Sequence, residues 1–305
     1  MELPGTTAKK IFSDFREGLR NLYPAREIDR FVGLLFEEWL GWSRLQLHLS
    51  LAVPLDGETG DRFARALRDL RTGIPVQYLL GKVHFDGLIL KVDSRVLIPR
   101  PETEEMCVMI RNELRMLRNE PLSVLDIGTG SGCLAISLAK SFPQAHVTAI
   151  DVEPGALVLA AENAAVNQCT VDFLQRDILL TEFVKGGPFH LVVSNPPYIP
   201  EMEKKNMQIH VTAFEPAAAL FVPDHDPTIF YKAITGLAAR QLIPGGWLWM
   251  EIHERFGKEV AEIAGSEGLE KVSVLQDLNC KDRFVAARRS PAGVTAGEDT
   301  AVPRK

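Results

Sequence analysis

The sequence predicts an α/β protein in which a small helical domain precedes a doubly wound, mostly parallel sheet. Two observations carry this prediction: residues 1–80 show helical periodicity, and residues 121–290, within a domain predicted at 101–290, alternate strand-like and helix-like segments. Between them, residues 81–100 hold short apolar and β-branched runs on either side of Asp86-Gly87, which predicts a β-hairpin linker. A chain of 305 residues with 46% hydrophobic side chains can bury the cores of both domains.

Charge and composition limit the classes of partner. The formal net charge is −6, and residues 1–80 contain 11 Lys plus Arg and 11 Asp plus Glu, so no direct nucleic-acid binding is expected. The four cysteines and seven histidines lack the spacing of zinc ligands or of a disulfide framework, and we expect no metal. No apolar run approaches the length of a membrane span and no signal-peptide core is recognisable, so we expect a cytoplasmic protein without a membrane partner.

Two amphipathic helices are predicted in the N-terminal domain. The first begins near Pro24, and the second runs from Gly60 to Thr72, with Gly73 suited to the position after its end. Their apolar stripes, expected in the core, are Ile28, Phe31, Val32, Leu35 and Trp39 in the first helix and Phe63, Leu67 and Leu70 in the second.

The linker hairpin is predicted with strands at His84–Leu90 and Lys91–Ile98. Pro101 and the acidic residues after it then suit a helix N-terminus, and this helix is predicted to continue to about Arg118. Its inward-facing residues are expected to be Met106, Met109, Ile110, Leu114 and Leu117.

A glycine-rich loop follows the first predicted strand of the sheet, Ser123–Ile127. Alternating glycines let a backbone turn sharply and approach a ligand, and the helix predicted at Cys133–Ser141 points its N-terminus at the same place. The next strand, His146–Ile150, ends at Asp151, where a carboxylate suits two ribose hydroxyls. The candidate ligand-binding residues of the loop are Asp126, Gly128, Thr129, Gly130, Ser131 and Gly132.

These features alone do not distinguish a nicotinamide cofactor from another nucleoside ligand. Cys133 stands where a dinucleotide fingerprint has its third glycine, which favours a ligand without a pyrophosphate. Asp126 has two interpretations, since it can accept the ammonium of an amino-acid moiety or cap the loop.

Two further ligand contacts are expected after the next helix, Pro154–Asn167, and the strand Val171–Leu174. Asp177 lies at the carboxyl end of that strand, where it can accept from an adenine amino group. Ile178 can contribute a backbone N–H and an apolar surface.

A second motif, Ser194-Asn195-Pro196-Pro197-Tyr198, follows an apolar strand predicted at Phe189–Val193. Consecutive prolines stiffen the backbone and cannot continue a sheet ladder. The Asn195 side-chain oxygen and the Pro196 carbonyl can each accept one N–H of a planar NH₂ group, while the Tyr198 ring packs on its flat face. These three residues are the candidate catalytic residues. Pro197 is a further candidate substrate contact, and Asn195 is also expected to contact the nucleoside ligand, because this strand should adjoin the glycine loop.

Together, these motifs resemble the class I S-adenosylmethionine-dependent methyltransferases that act on a planar nitrogen. With Pro75–Gly81, Leu97–Glu104 and Phe214-Glu215-Pro216 added, the chain resembles the HemK-type family of peptide-chain-release-factor glutamine N5-methyltransferases over about residues 10–290. The resemblance implies a class I methyltransferase sheet of seven strands with the last one antiparallel, a helical domain for substrate recognition, and S-adenosylmethionine as methyl donor. It also implies that the substrate is the glutamine of the Gly-Gly-Gln motif in class I release factors, methylated on its N5 amide nitrogen by direct transfer.

Two other functions remain open at this point. An amino methyltransferase acting on adenine N6 or guanine N2 would present the same planar NH₂ group to the same motif, but it would need a basic cleft or a base-flipping surface. A nicotinamide-dependent oxidoreductase would leave residues 195–198 unexplained.

Some positions have no assigned role. For Arg100 and Glu102, the sequence leaves open a solvated helix cap or a place in the cleft. For Glu215, interpreted as an exposed acid, and for Glu251, which ends the strand Trp247–Met250, it leaves open an orienting or a structural role.

The C-terminal part departs from the family pattern and then completes the sheet. Pro223–Pro227 lacks the expected glycines, which predicts a differently shaped loop, and Glu251–His253 and Asp277–Arg283 fit the later motifs imperfectly. The remaining elements are a helix at Phe256–Gly268, a closing strand pair at Lys271–Leu275 and Arg283–Ala287, and a tail, residues 291–305, that is predicted to be disordered.

Overall fold

The computed structural model describes residues 6–207 and 209–291, so the predicted tail lies almost entirely outside the described residues. The N-terminal domain consists of helices whose buried faces share one hydrophobic cluster around Phe15, Phe36 and Phe63. These helices are α1 (Ala8–Leu19), α2 (Ala25–Leu40), α3 (Arg44–Leu49), α4 (Gly57–Arg71) and α5 (Val76–Leu80).

Helices α2 and α4 match the two helices predicted in this domain. The predicted stripe of α2 is buried except for Trp39, which is half-buried beneath the Arg62 guanidinium, 4.1 Å from the ring centroid. Helix α4 begins at Gly57, earlier than predicted, because the Asp56 side chain accepts a hydrogen bond from the Thr59 N–H and caps the helix there.

The linker is a hairpin, but its predicted strand bounds were wrong. Strands β1 (Lys82–Phe85) and β2 (Leu88–Lys91) are joined by Asp86 and Gly87, which both have positive φ, 49° and 75°. A two-residue turn of this kind fixes the register, so Phe85 pairs with Leu88 and the hairpin ends at Lys91. The residues that follow, through 98, are not a strand.

Helix α6 (Pro101–Glu113) ends earlier than predicted. Its last turn tightens into a 3₁₀ segment at Arg115–Leu117, in which successive side chains are rotated further than in an α-helix. Leu117 is 38% exposed as a result, so the prediction that it faces inward was wrong.

The second domain is built on a seven-stranded sheet. Its order is β10-β11-β9-β6-β3-β4-β5, and β11 runs antiparallel to both of its neighbours, which confirms the expected class I methyltransferase topology. The strands are β3 (Ser123–Ile127), β4 (His146–Asp151), β5 (Asp172–Gln175), β6 (Phe189–Ser194), β9 (Leu242–Glu251), β10 (Leu269–Gln276) and β11 (Asp282–Arg289). Strands β7 (Ile199–Pro200) and β8 (Phe221–Val222) form a separate small pair.

Helices cover both faces of this sheet. Alternation along β3 sends Val124 into the layer formed with α6, α7 and the hairpin, and Leu125 into the opposite layer, formed with α10 and α11. The helices of this domain after α6 are α7 (Cys133–Ser141), α8 (Pro154–Val166), α9 (Ile209–Phe214), α10 (Ile229–Gln241) and α11 (Gly257–Ser266). No helix in the described ranges combines the length and apolar character needed to cross a bilayer.

The connection order reverses between β3 and β6. From β3 the chain proceeds outward to β4 and β5, whereas β6 leads to β9 on the other side. In an open α/β sheet, a crevice forms at the carboxyl ends of the strands where the order reverses. The glycine loop after β3 and the Asn195 motif after β6 therefore face one crevice.

A buried asparagine connects the hairpin to the glycine loop. The fully buried Asn163, on α8, accepts a hydrogen bond from the Lys91 N–H at 2.6 Å and donates to the carbonyl oxygens of Lys91 and Ser131 at 3.0 and 2.9 Å. Strand β2 of the linker and the loop before α7 are thus held by one side chain.

Replacing Asn163 by Ala is expected to lower the free energy of unfolding by about 2–4 kcal/mol, because the side chain is fully buried and the backbone groups of Lys91 and Ser131 lose their partner. Urea unfolding monitored by circular dichroism measures this. The matched control is Asn112→Ala on the exposed side of α6, where a change within about 0.5 kcal/mol is expected. Equal effects of the two substitutions would contradict the structural role of Asn163.

Candidate active site

A cavity with about 1080 Å³ of empty space opens at the carboxyl ends of β3, β4 and β6. One wall is the glycine loop with the ends of β4 and β5, and the other is the Asn195 motif with residues of the linker. The predicted site residues that line it are Gly128, Thr129, Gly130, Ser131, Asp151, Asp177, Ile178, Asn195, Pro196 and Pro197. Asp126, Gly132 and Tyr198 are not among its lining residues.

The three loop glycines differ in what surrounds them. All have positive φ, and a Cβ atom at Gly128 or Gly130 would meet no atom within 4 Å. At Gly132, a Cβ would lie 3.0 Å from Ile136 and 3.2 Å from Ala160 of α8. Gly128 and Gly130 therefore leave the backbone open to a ligand, while Gly132 allows the loop to pack closely on α8.

Asp126 is fully buried behind the loop. Its Oδ2 accepts hydrogen bonds from the Thr129 hydroxyl at 2.6 Å and the Ala135 N–H at 3.2 Å, so the loop-capping interpretation describes this oxygen. Its Oδ1 has no hydrogen-bond partner among the described residues. Burial raises the pKa of this carboxyl to about 7. Oδ1 is therefore an unpaired buried acceptor that a positively charged group would stabilise.

Asp151 is fixed by backbone groups. Its Oδ2 accepts from the Gly130 N–H at 2.8 Å and its Oδ1 from the Glu153 N–H at 3.0 Å, while burial raises its pKa. Each oxygen retains capacity to accept a further hydrogen bond, as two ribose hydroxyls require. Asp177 is likewise oriented, because its Oδ1 accepts from the Leu179 N–H at 2.9 Å.

On the acceptor side, Asn195 belongs to a chain of hydrogen bonds between side chains. Asn195 Nδ2 donates to the Thr103 hydroxyl at 2.9 Å, and this hydroxyl donates to Glu251 Oε2 at 2.6 Å. The Tyr198 hydroxyl donates to the other oxygen, Oε1, at 3.0 Å. The Tyr198 ring lies edge-on to His253, with centroids 6.1 Å apart. Whether this ring packs on a substrate stays a prediction.

Glu251 is 1% exposed and sits at the carboxyl end of β9. Burial raises its pKa, while the hydrogen bonds from Thr103 and Tyr198 and the nearby Arg283 guanidinium oppose this shift. Burial and the proximity of Glu251 also raise the pKa of Tyr198 well above its usual range. Tyr198 is therefore a hydrogen-bond donor at neutral pH.

Glu215 joins the linker to the loop after the Asn195 motif. It accepts a hydrogen bond from the Ile98 N–H at 3.0 Å and one from Arg100 Nη2 at 2.6 Å. Glu215 is only 5% exposed, so its interpretation as an exposed acid was wrong: both carboxylate oxygens are taken up by the linker. Arg100 lines the cavity within this ion pair, and Glu102 does not line it.

Thr103 is the site residue that sequence reasoning missed. A signal was present, because Thr103, Met106, Cys107 and Ile110 fall at i, i+3, i+4 and i+7 on the buried face of α6. A hydroxyl on an apolar helix face requires a buried partner.

The segment without the expected glycines is held by its own aspartates. Asp224 accepts a hydrogen bond from the Met202 N–H at 2.9 Å, and Asp226 accepts from Lys232 Nζ at 2.8 Å. Within the described ranges, no group of three or more His, Cys, Asp or Glu side chains is arranged to hold a metal ion.

Family models match two parts of the chain. A model described as the PrmC N-terminal domain matches residues 21–81, and one described as the methyltransferase small domain matches residues 113–224. The two matches fall on the helical domain and on the sheet with the glycine loop and the Asn195 motif.

Individual proteins match over nearly the whole chain. The release factor glutamine methyltransferase of Flavobacterium psychrophilum is 38% identical over 91% of this chain and 97% of its own length. The enzyme of the same name from Streptococcus pneumoniae is 42% identical over 90% of this chain and 96% of its own length. Among solved structures, a methyltransferase from Pyrococcus furiosus shares the fold, with a TM-score of 0.50 and 19% identity over 76% of this chain and 99% of that chain. By its identity to these relatives over most of its length, the chain belongs to the family of release factor glutamine methyltransferases.

Proposed function

We propose that this protein transfers a methyl group from S-adenosylmethionine to the N5 amide nitrogen of the glutamine in the Gly-Gly-Gln motif of class I release factors. The observation that carries the proposal is that the glycine loop and Asn195 line one cavity. A donor bound at the loop and a planar amide bound at Asn195 are therefore adjacent. The names of the relatives support the choice of substrate.

The donor fits the first wall of the cavity. Asp151 binds the two ribose hydroxyls, Asp177 accepts from the adenine amino group, and Ile178 contributes a backbone N–H and an apolar contact. The unpaired Oδ1 of Asp126 takes the ammonium group. The residues that complete this wall are Gly128, Thr129, Gly130 and Ser131, and Gly132 lets the loop that carries them pack on α8. S-adenosylmethionine supplies an electrophilic methyl group on a sulfonium sulfur.

The acceptor residues act by orientation. The Asn195 carboxamide oxygen and the Pro196 carbonyl accept the two N–H groups of the glutamine side chain, and Pro197 and Tyr198 complete the substrate contact. With both hydrogens held in the plane of these acceptors, the out-of-plane electron density of the nitrogen faces the donor methyl. An amide nitrogen is a weak nucleophile, so its alignment for in-line attack supplies much of the rate enhancement. The amide proton leaves as the C–N bond forms.

We assign substrate recognition to residues 1–80 and catalysis to residues 101–290, with the hairpin of residues 81–100 as the connection. The helical domain has a hydrophobic cluster of its own, and residues 6–80 do not line the cavity. Since residues 1–80 carry no net charge, this domain recognises a protein by shape rather than by a basic surface.

The direct test is incubation with methyl-labelled S-adenosylmethionine and a purified class I release factor, followed by peptide mass mapping. Label on the Gly-Gly-Gln glutamine is the expected result. If the label is absent there and is found on the amino groups of adenine or guanine in nucleic acid, the proposed substrate is wrong. The assignment of the donor site would still hold in that case.

Replacing Asn195 by Ala is expected to lower kcat by at least about 10²-fold, because the glutamine amide loses one of its two acceptors. The dissociation constant of S-adenosylhomocysteine, measured by isothermal titration calorimetry, should change only a few fold. Asn119→Ala, at an exposed position after α6, is the matched control and should leave both quantities unchanged. An unchanged kcat in Asn195→Ala would refute the assignment.

Replacing Asp126 by Asn is expected to stabilise the donor-free enzyme increasingly as the pH rises. Burial raises the pKa of this carboxyl to about 7 from 3.8, so its protonated form is favoured in the folded state. The stability that this group contributes is fully present below pH 3.8 and is lost as the pH rises through 7. Between pH 5 and pH 8, the wild type should lose about 2–3 kcal/mol relative to the variant.

Urea unfolding at the two pH values measures this difference, and the exposed Asp61→Asn provides a control. Because Asp126 is assigned to the donor ammonium, the same variant should bind S-adenosylmethionine at least about tenfold more weakly. A variant with wild-type donor affinity would show that loop capping is the whole role of Asp126.

Deleting residues 1–75 is expected to preserve donor binding, because the cavity is lined by residues 95 and beyond. Methylation of a release factor should fall by at least about 10²-fold, since the surface that positions the protein substrate is removed. Calorimetry with S-adenosylhomocysteine and the methyl-transfer assay separate the two effects. Full transfer by the truncated enzyme would refute the division of roles.

A further inference from the structure

We propose that Thr103 and Glu251 form a hydrogen-bond relay that fixes the orientation of the Asn195 carboxamide, with its oxygen toward the bound acceptor. This inference rests on the proposed function and assigns two positioning residues to it. Neither residue is required to touch the donor or the reacting nitrogen.

The relay starts at Glu251. This carboxylate is 1% exposed, and each of its oxygens accepts one hydroxyl, from Thr103 at 2.6 Å and from Tyr198 at 3.0 Å. An ionised carboxylate can only accept hydrogen bonds, so both hydroxyls must donate to it. Burial raises the pKa of Glu251, while the hydrogen bonds from Thr103 and Tyr198 oppose this rise. The Arg283 guanidinium, held by Asp277 at 3.2 Å, also favours the ionised form.

The Thr103 hydroxyl passes the direction of this hydrogen bond on to Asn195. Its hydroxyl has one proton, which it donates to Glu251, so toward Asn195 it can only accept. Only the NH₂ end of the Asn195 carboxamide can satisfy it, and this is the observed contact, Nδ2 to Oγ1 at 2.9 Å. A carboxamide turned by 180° would bring two acceptor oxygens together without a proton between them.

The orientation decides whether Asn195 can work as an acceptor. With Nδ2 turned to Thr103, the carboxamide oxygen is left for the substrate, and it accepts no hydrogen bond from the described residues. In the reversed orientation, Asn195 would present N–H groups to the N–H groups of the glutamine amide. The relay therefore excludes a non-productive form before the substrate arrives.

The sheet supplies the rigidity of this relay. Strands β6 and β9 are parallel neighbours, and Ser194 is paired with Met250. Asn195 and Glu251 thus leave the sheet side by side, and Thr103 approaches both from the first turn of α6. All three side chains are anchored at the ends of regular elements, which suits a positioning function.

The test compares three threonine variants with the wild type. Thr103→Val removes the hydroxyl at nearly constant shape, and Thr103→Ser retains it. Thr235→Val is the matched control, because Thr235 is also fully buried but its hydroxyl has no partner among the described residues. The measurements are kcat and KM with a purified class I release factor, the dissociation constant of S-adenosylhomocysteine, and the melting temperature.

Thr103→Val is expected to lower kcat by about 10²-fold, with KM and the dissociation constant within about threefold of wild type. Thr103→Ser should recover most of this loss, and Thr235→Val should match the wild type in kcat. A kcat of Thr103→Val equal to that of Thr235→Val would overturn the relay.

Glu251→Gln provides a second test if Thr103→Val fails to fold. Its amide NH₂ can donate to Thr103, which then donates to Asn195 and permits the reversed orientation. We expect at least a tenfold lower kcat. The wild-type value would overturn the relay.

An observation without turnover separates the relay from the proposed function. The measurement is an NMR spectrum of ¹⁵N-labelled enzyme with S-adenosylhomocysteine, in which the Asn195 side-chain signal is identified by its absence in Asn195→Ala. One NH₂ proton of this signal should exchange slowly with solvent in the wild type and should lose this protection in Thr103→Val. If wild type methylates no release factor, the proposed function fails and this signal alone decides the relay. Identical proton exchange in wild type and Thr103→Val would overturn it.

Discussion

The parallel pairing of β3 with β6 is the constraint on which the rest of this structure depends. Chain order reverses at this pair, so the loops that follow the two strands open toward each other rather than being covered by a crossover helix. The glycine loop belongs to one strand and the Asn195 motif to the other. A reaction between two bound molecules needs their binding sites at a fixed separation. Here the hydrogen bonds between β3 and β6 set the separation of the glycine loop and the Asn195 motif.

Polar side chains then attach the other elements to this pair. Asn163 joins the hairpin to the glycine loop, and Glu215 joins residues 98 and 100 to the loop after the Asn195 motif. Both are buried, and each satisfies at least two partners. Buried groups of this kind are costly when a partner is missing, so they favour one arrangement of linker and cavity over slightly shifted ones.

Those parts of the fold and of the candidate site that are determined by neighbouring residues could be predicted from the sequence. Strand β3 and helix α7 were predicted at their observed bounds because Gly128, Gly130 and Gly132 mark the turn between them. The predictions were wrong or incomplete where contacts between residues distant in the sequence, or the geometry of a turn, determine the structure. The Glu251 partner of Thr103 is 148 residues away, and the Ile98 partner of Glu215 is 117 residues away, so no spacing rule connects them. Similarly, the end of α6 depends on a local change to 3₁₀ geometry that its apolar periodicity does not show.

The polarity of the Asn195 contact has a consequence for chemical damage to the substrate. Glutamine deamidates to glutamate, which has nearly the same size and shape but carries a second carboxylate oxygen in place of the NH₂ group. When glutamine is bound, the Asn195 oxygen faces an N–H group, but when glutamate is bound, it faces a lone pair. Two buried acceptors without a proton between them reject glutamate more strongly than a difference in shape would. In the proposed reaction, the enzyme therefore distinguishes an intact release factor from a deamidated one before any methyl group is committed.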